Sequence, residues 1–372
     1  MSLTFLAVPL ISVLMAFGFA VVGDPQTAYF DTVYVPARLA TDTGYSGVVV
    51  LSRLGDEIKK IETEAATAAK GRKLQLVSDK SVIGMLADYL RVTPLIRVVQ
   101  EAIGLIPFSF YGDVVVDAPA AAFYKNGPVD LVIRGYDNTS KRKAIFIRAQ
   151  GSTDDLDGLI RAAAFETVQL IDPYLLAAYQ FRKDYRIKDY TSTIELIRRD
   201  LAGSKKGLSR KWMYNLYGVV FYQQGDKEGA IEMFKQALAI DPQFTSPRLN
   251  MGVVQTRLGR YDEAIQSFRT LTTDYRKTES KTTIAAAYSE WGFALALLGR
   301  TEEAFAMFRK SMATDPKFAD VHAQWAEVLS ALGRQDEAAR ESAMALELSP
   351  TEVVYTENLI GPVQNPPAEA FN

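Results

Sequence analysis

The chain has 372 residues, and its 42 lysines and arginines nearly balance 44 aspartates and glutamates. That length allows about two or three domains, and an apolar fraction of 48% excludes wholesale disorder. A net charge of -2 gives no pull toward nucleic acid, the absence of cysteine excludes disulfide scaffolds, thiol catalysis and iron–sulfur clusters, and a single histidine, His322, excludes a histidine-rich metal site.

Leu3 to Val22 is an uncharged, mostly apolar run closed by Gly23-Asp24. At 1.5 Å per residue, about twenty helical residues match the thickness of a bilayer core. The run is therefore expected to be a transmembrane anchor over residues 1–23. A signal peptide cleaved after Ala20 is the alternative, weakened by the lack of a basic n-region. Few lysines and arginines flank the run, so orientation is read only as a body facing the periplasm from a bacterial inner membrane.

Residues 31–150 read as a small α+β domain. Val33-Tyr34-Val35 is a short extended piece before Pro36. From Ser46 to about Ala69, apolar positions such as Leu51, Leu54, Ile58 and Ile61 recur at helical spacing. Residues 81–104 predict more helix, interrupted before Pro94. The period then becomes two, over Phe108–Val116, Val129–Ile133 and Ala144–Arg148. Helices packed on a three- or four-stranded antiparallel sheet are expected. Asp154, Asp155 and Asp157 suit a helix N-terminus better than a cation site. Asn138-Thr139-Ser140 fits the glycosylation triplet, a weak signal in three residues.

Residues 151–210 form a helical connector or a degenerate repeat, with ten basic residues between Arg182 and Lys211. A solvated junction accounts for them, with contact to lipid headgroups or an acidic partner as the alternative.

From residue 211 to 350 the sequence repeats. Gly218, Gly252, Gly292 and Ala326 form one column; Gly225, Gly259, Gly299 and Gly333 a second; Ala230, Ala264, Ala304 and Ala338 a third. Phe234, Phe268 and Phe308 form a fourth that ends in Ser342, and Pro242, Pro316 and Pro350 a fifth. The spacing is 34, then 40, then 34 residues, so an insertion lies between Leu271 and Ala285. Small residues let antiparallel helices approach, the second glycine ends a helix in the left-handed conformation, phenylalanine fills the core, and proline opens the next unit.

These columns resemble the tetratricopeptide repeat family in four units. The resemblance implies helix-turn-helix units stacked into a right-handed superhelix, giving a mostly α protein with a C-terminal α-solenoid. The stretch from about residue 31 to 180, behind the expected anchor, also resembles the front half of bacterial membrane-attached repeat proteins of unassigned role, a likeness that implies no activity. The resemblance implies a concave groove lined by the first helix of each unit. Helical spacing brings together Asn215, Val219 and Tyr222, then Leu249, Val253 and Thr256. The third unit adds Ser289, Phe293 and Ala296, and the fourth Ala323, Glu327 and Ser330. Some family members hold a peptide's terminal carboxylate there. Asn250 fits that pattern, but Val219, Ala286 and Glu290 do not, so an apolar partner segment or helix is expected instead. Ordinary solenoid surface, or the chain's own tail in the groove, is the bland alternative.

Trp291, Trp325 and His322 are read as packing residues, Trp212 as lying near the groove edge, and residues 351–372 as an extended tail. No phosphate-binding glycine loop, metal-spaced cluster or nucleophile motif occurs, so neither catalysis nor a cofactor is expected. The function expected is a membrane-anchored scaffold that binds other proteins through the groove and does not bind nucleic acid. The alternative is a lipid- or cell-wall-polymer-binding protein acting through the α+β domain, with an enzyme as the weakest reading.

Overall fold

The computed structural model describes residues 28–65, 100, 108–116, 127–138, 143–203, 209–275 and 279–348. They divide into two compact units, residues 1–179 and 180–372.

In the first unit, β1 (Ala28–Tyr34) leads into α1 (Ala37–Thr43) and α2 (Gly47–Ala65). Strands β2 (Phe108–Val116), β3 (Pro128–Asp137) and β4 (Lys143–Ser152) follow, then α3 (Leu156–Ile171). The sheet order is β1-β2-β3-β4. β2, β3 and β4 form an antiparallel meander, as expected. β1 instead pairs with β2 in parallel, which corrects the all-antiparallel expectation. The physical reason is the long connection through α1 and α2, since a parallel pair needs a crossover rather than a hairpin. The predicted helix over 81–104 lies almost wholly outside the described residues.

One sheet face is apolar. Phe30, Phe110, Val114, Leu131, Ile133 and Ile147 are buried, and Phe30 stacks on Phe110 with ring centroids 4.9 Å apart. The buried stripe of α2 (Leu54, Ile58, Ile61) and that of α3 (Leu159, Ile160, Ala163) supply the opposing layer. The acidic run takes the capping role. Asp155 Oδ1 accepts from Gly158 N at 2.7 Å, and Asp157 pairs with Arg53. Asn138 Nδ2 donates to Ser109 Oγ at 3.1 Å; Thr139 and Ser140 lie outside the described residues.

The helices continue as α4 (Pro173–Ile187), within which the division falls, and α5 (Thr191–Ala202). Four hairpins follow: α6 (Ser209–Gln223) with α7 (Lys227–Ile240), and α8 (Thr245–Arg257) with α9 (Tyr261–Asp274). The other two are α10 (Lys281–Leu297) with α11 (Thr301–Thr314), and α12 (Ala319–Ala331) with α13 (Gln335–Leu348). Gly225, Gly259, Gly299 and Gly333 have φ between 74° and 87°, the left-handed conformation their column predicts. A Cβ on Gly218 or Gly252 would lie 2.4 or 2.5 Å from the facing phenylalanine ring, so the first glycine column exists to admit the Phe column. The fourth unit exchanges both partners. Ala326 fills the space from its own helix, and Ser342 stands exposed where the ring would be.

The insertion in part lengthens α10, which has 17 residues against 13 in α8. Pro242 and Pro316 behave differently from the expectation, and Pro350 lies outside the described residues. Pro242 lies in the turn before α8 rather than in its first turn. Asp241 holds that turn by accepting from Gln243 N at 2.9 Å with its side chain and from Phe244 N at 3.0 Å with its carbonyl. Asp315 repeats the arrangement with Lys317 and Phe318.

The expected fold class is corrected in one respect. No helix among the described residues is long and apolar enough to cross a membrane. Residues 3–22, where the sequence places that helix, lie outside the described residues. The fold that stands is a small α+β unit followed by a helical solenoid.

Candidate functional site: the inner face of the helical repeat

Within the second unit, the first helices of successive hairpins touch one another: α6 with α8, α8 with α10, α10 with α12. They form one layer, and the second helices form the other. The residues expected to line a groove all fall in this inner layer, at two different depths. Asn215, Val219, Leu249, Val253, Thr256, Ser289, Phe293 and Ala296 are buried. Tyr222 and Glu327 are half-buried, while Ala323 and Ser330 are exposed. The cause is the close packing of each first helix against its hairpin partner and the neighbouring hairpins, which turns positions on a lone helix face into interhelical packing.

Polar side chains run through this layer. Asn250 Nδ2 donates to Asn215 Oδ1 at 3.1 Å, linking α8 to α6. Between α10 and α12, Ser289 Oγ donates to Gln324 Oε1, and Gln324 Nε2 donates to Glu290 Oε1 at 2.6 Å. The Arg257 guanidinium lies 5.4 Å from the centroid of the Phe293 ring and faces the Tyr222 hydroxyl. Several of these groups are incompletely satisfied. Among the described residues, Arg257 Nε and Nη2, Glu290 Oε2 and Glu327 Oε1 are buried atoms with no hydrogen-bond partner. Such atoms are costly to leave unmade and rare in native interiors.

Desolvation dominates the electrostatics. Burial pushes the Glu290 carboxyl up, opposed by Arg257 and the Gln324 hydrogen bond and reinforced by Asp320. Burial also raises Asp320. Glu327 is pushed up to about 7, chiefly by burial, with Arg257 opposing and Glu290 adding. A carboxyl raised in the folded state binds its proton more tightly than in the unfolded chain. Stability from Glu327 is therefore present below its ordinary 4.5 and lost as pH rises toward about 7. Glu327→Gln is expected to stabilise the protein at pH 8 by about 1–2 kcal/mol after allowance for solvent contact, with no gain at pH 4. Urea titrations at the two pH values measure the difference.

Arg257, Gln324 and Asp320 were not among the residues expected in the groove, although a signal for Gln324 exists. Asn250, Glu290 and Gln324 recur at the repeat steps of 40 and 34 residues, a polar column inside otherwise apolar helices. His322 is structural as expected: it is buried, with Nδ1 2.6 Å from Glu341 Oε2. Trp291 and Trp325 pack against the apolar core, and Trp212 meets Phe244 edge-on at 4.3 Å. Among the described residues no group of His, Cys, Asp and Glu could hold a metal ion. Among the described residues, a small gap between sheet and helices in the first unit is lined by apolar side chains such as Val35, Leu39, Val114 and Leu131, with Tyr45 the polar one.

Stacked helical hairpins with positive-φ glycines, a glycine–phenylalanine packing column and a single layer of first helices define an α-solenoid repeat protein. The family model for the tetratricopeptide repeat matches residues 154–350, more than half of the chain, and the chain belongs to that family. Among solved structures, a crystal structure of MamA is 18% identical and covers 45% of this chain and 93% of its own, with a TM-score of 0.35. MamA from Desulfovibrio magneticus RS-1 (residues 41 to the end) is 16% identical over 48% of this chain and 96% of its own, TM-score 0.37. The APC/C hetero-tetramer Cut9-Hcn1 is 18% identical over 54% of this chain and 40% of its own, TM-score 0.41. No curated protein matches.

Proposed function

We infer that this protein is a non-catalytic adaptor that binds a segment of a partner protein along the inner face formed by α6, α8, α10 and α12. The observation that carries this reading is the set of buried polar atoms on that face with no partner, on Arg257, Glu290 and Glu327. An extended segment offers both donors and acceptors to such groups, and repeat families present their inner layers to ligands in this way. The expectation of an apolar segment gives way to a polar one, because Val219, Val253 and Phe293 are at most 2% exposed. Co-purification with quantitative mass spectrometry tests the reading on three proteins: wild type, Arg257→Ala, and Arg269→Ala on the exposed side of α9. A defined set of proteins kept by wild type and Arg269→Ala, and lost by Arg257→Ala, is the expected result. Identical capture by all three sinks the reading.

A second surface has an observation of its own. Tyr111, Arg134 and Phe146 lie opposite one another across β2, β3 and β4, on the sheet face away from α2 and α3, with Tyr136 two residues along β3. The three aromatic rings are exposed, while Arg134 pairs with Asp113 and Arg148 with Asp130. Paired arginines make a poor polyanion site, whereas open rings beside polar pairs suit a neutral sugar polymer. Pull-down on insoluble polysaccharide, lost in Phe146→Ser, is the result that supports this reading, and unchanged pull-down removes it.

A further inference from the structure

We propose that the inner face selects its partner by a basic side chain, whose cation is received between Glu290 of α10 and Glu327 of α12 while Arg257 of α8 donates to the segment's main-chain carbonyls. This rests on the reading above that the inner face is the binding surface.

The charge balance of the face comes first. Glu290 on α10 is acted on by Asp320 and itself acts on Glu327, both of α12, and among the described residues Arg257 is the cation that acts on both glutamates. Three carboxyl groups stand beside one guanidinium, so once the glutamates ionise, pairing with Arg257 alone leaves an acidic excess. Gln324 satisfies only one oxygen of Glu290, and the other stays without a partner in a side chain that is 7% exposed. An ionised carboxylate accepts at both oxygens, each with about two lone pairs. A lysine ammonium brings three donors and an arginine five, which suits two neighbouring unfilled acceptors. A divalent ion is a poorer fit, since among the described residues no group of three or more acidic or histidine side chains could hold one.

Arg257 does not neutralise the site by itself. Its guanidinium is held over Phe293 and against Tyr222, and its Nε and Nη2 still lack acceptors. Those two N–H groups fit the carbonyls of an extended main chain. Access comes from α12. Ala323, Glu327 and Ser330 share one helical face; Ala323 and Ser330 are small and exposed and Glu327 is half-buried between them, so an arriving side chain meets the Glu327 carboxylate from α12.

Raised carboxyl groups add a pH signature. Glu327 exchanges its proton near neutrality, and the charged groups acting on it are Arg257 and Glu290. A cation favours the ionised form, so affinity is expected to rise between pH 6 and 8 and to be weakened by salt.

The test is selection of short random peptides on the immobilised full chain, followed by affinity measurement of the enriched peptides. Wild type is expected to enrich lysine or arginine at one position. The enriched peptides are expected to bind Glu290→Gln/Glu327→Gln at least about tenfold more weakly, with helicity unchanged by circular dichroism. Replacing the peptide's basic residue by glutamine should cost as much in wild type and little in the variant. Enrichment without a basic residue, with binding still lost in Arg257→Ala, overturns the cation selection and leaves the inner face as the binding surface. Equal binding to wild type, Arg257→Ala and Glu290→Gln/Glu327→Gln overturns both, as does a selection that enriches nothing.

Discussion

Phe268→Ala is expected to destabilise the second hairpin by about 3–5 kcal/mol, the cost of emptying a large ring from a filled core. Phe268 is 0% exposed, and its Cε1 lies 2.5 Å from where a Cβ on Gly252 would be. The ring occupies the volume that glycine leaves, so the two residues form one packing unit across α8 and α9. Their effects should therefore not add. Gly252→Ala alone overpacks the hairpin and is expected to cost about 1–3 kcal/mol. In the Phe268→Ala background the same change fills part of the cavity and improves helix propensity by about 1 kcal/mol, so its sign should reverse. Urea unfolding of the four proteins in the cycle measures this. Ser342→Ala, in the same column but exposed, should stay within about 0.5 kcal/mol of wild type. Equal losses at Phe268 and Ser342 would show that the column carries no common packing role.

Asp184→Ala is the second change with a large expected cost, about 2–4 kcal/mol. Asp184 is 3% exposed on α4 and reaches across to the start of α5. Its Oδ2 accepts from Thr193 N at 2.9 Å and from Thr193 Oγ1 at 2.7 Å, and its Oδ1 accepts from Gln180 Nε2 at 2.7 Å. Tyr190, which precedes α5, supplies no side-chain cap, so Asp184 caps that helix from a distance. Alanine leaves the buried Thr193 hydroxyl and main-chain N–H, and the half-buried Gln180 amide, without their acceptor. Asp184→Asn keeps one acceptor and removes the charge, and should cost about half as much. Amide hydrogen exchange in the first turn of α5 should quicken in both variants, more in alanine. Unchanged protection there would mean that the cap is held by something else.

The repeat was legible because its determinants are local and recur. A glycine at positive φ, an alanine against a crossing helix and a phenylalanine facing a glycine are each fixed by residue type and spacing, and the structure realises them in successive units. The meander β2-β3-β4 was legible for the same reason, through its period-two alternation. The parallel pairing of β1 was not, because a strand carries no sign of its neighbour's direction when the connection is long.

Asp184 shows the limit most clearly. In the sequence it is one acid in a charged stretch and reads as solvated; only the turn between α4 and α5 brings it to Thr193. The inner face is a similar case. Helical periodicity identified Val219, Val253 and Phe293 as lying on one side of their helices. It could not tell an open groove from the contact of each first helix with its neighbours on all sides, and that contact buries them. The same contact brings Arg257, Glu290 and Glu327 together from three repeats. By itself the sequence determined the repeat length, the hairpin and the residues that close it, since these depend on steps of a few residues. The tertiary structure alone decided which inner-layer residues remain open to a partner and which carboxylates lose their water, because both depend on how closely neighbouring units stack.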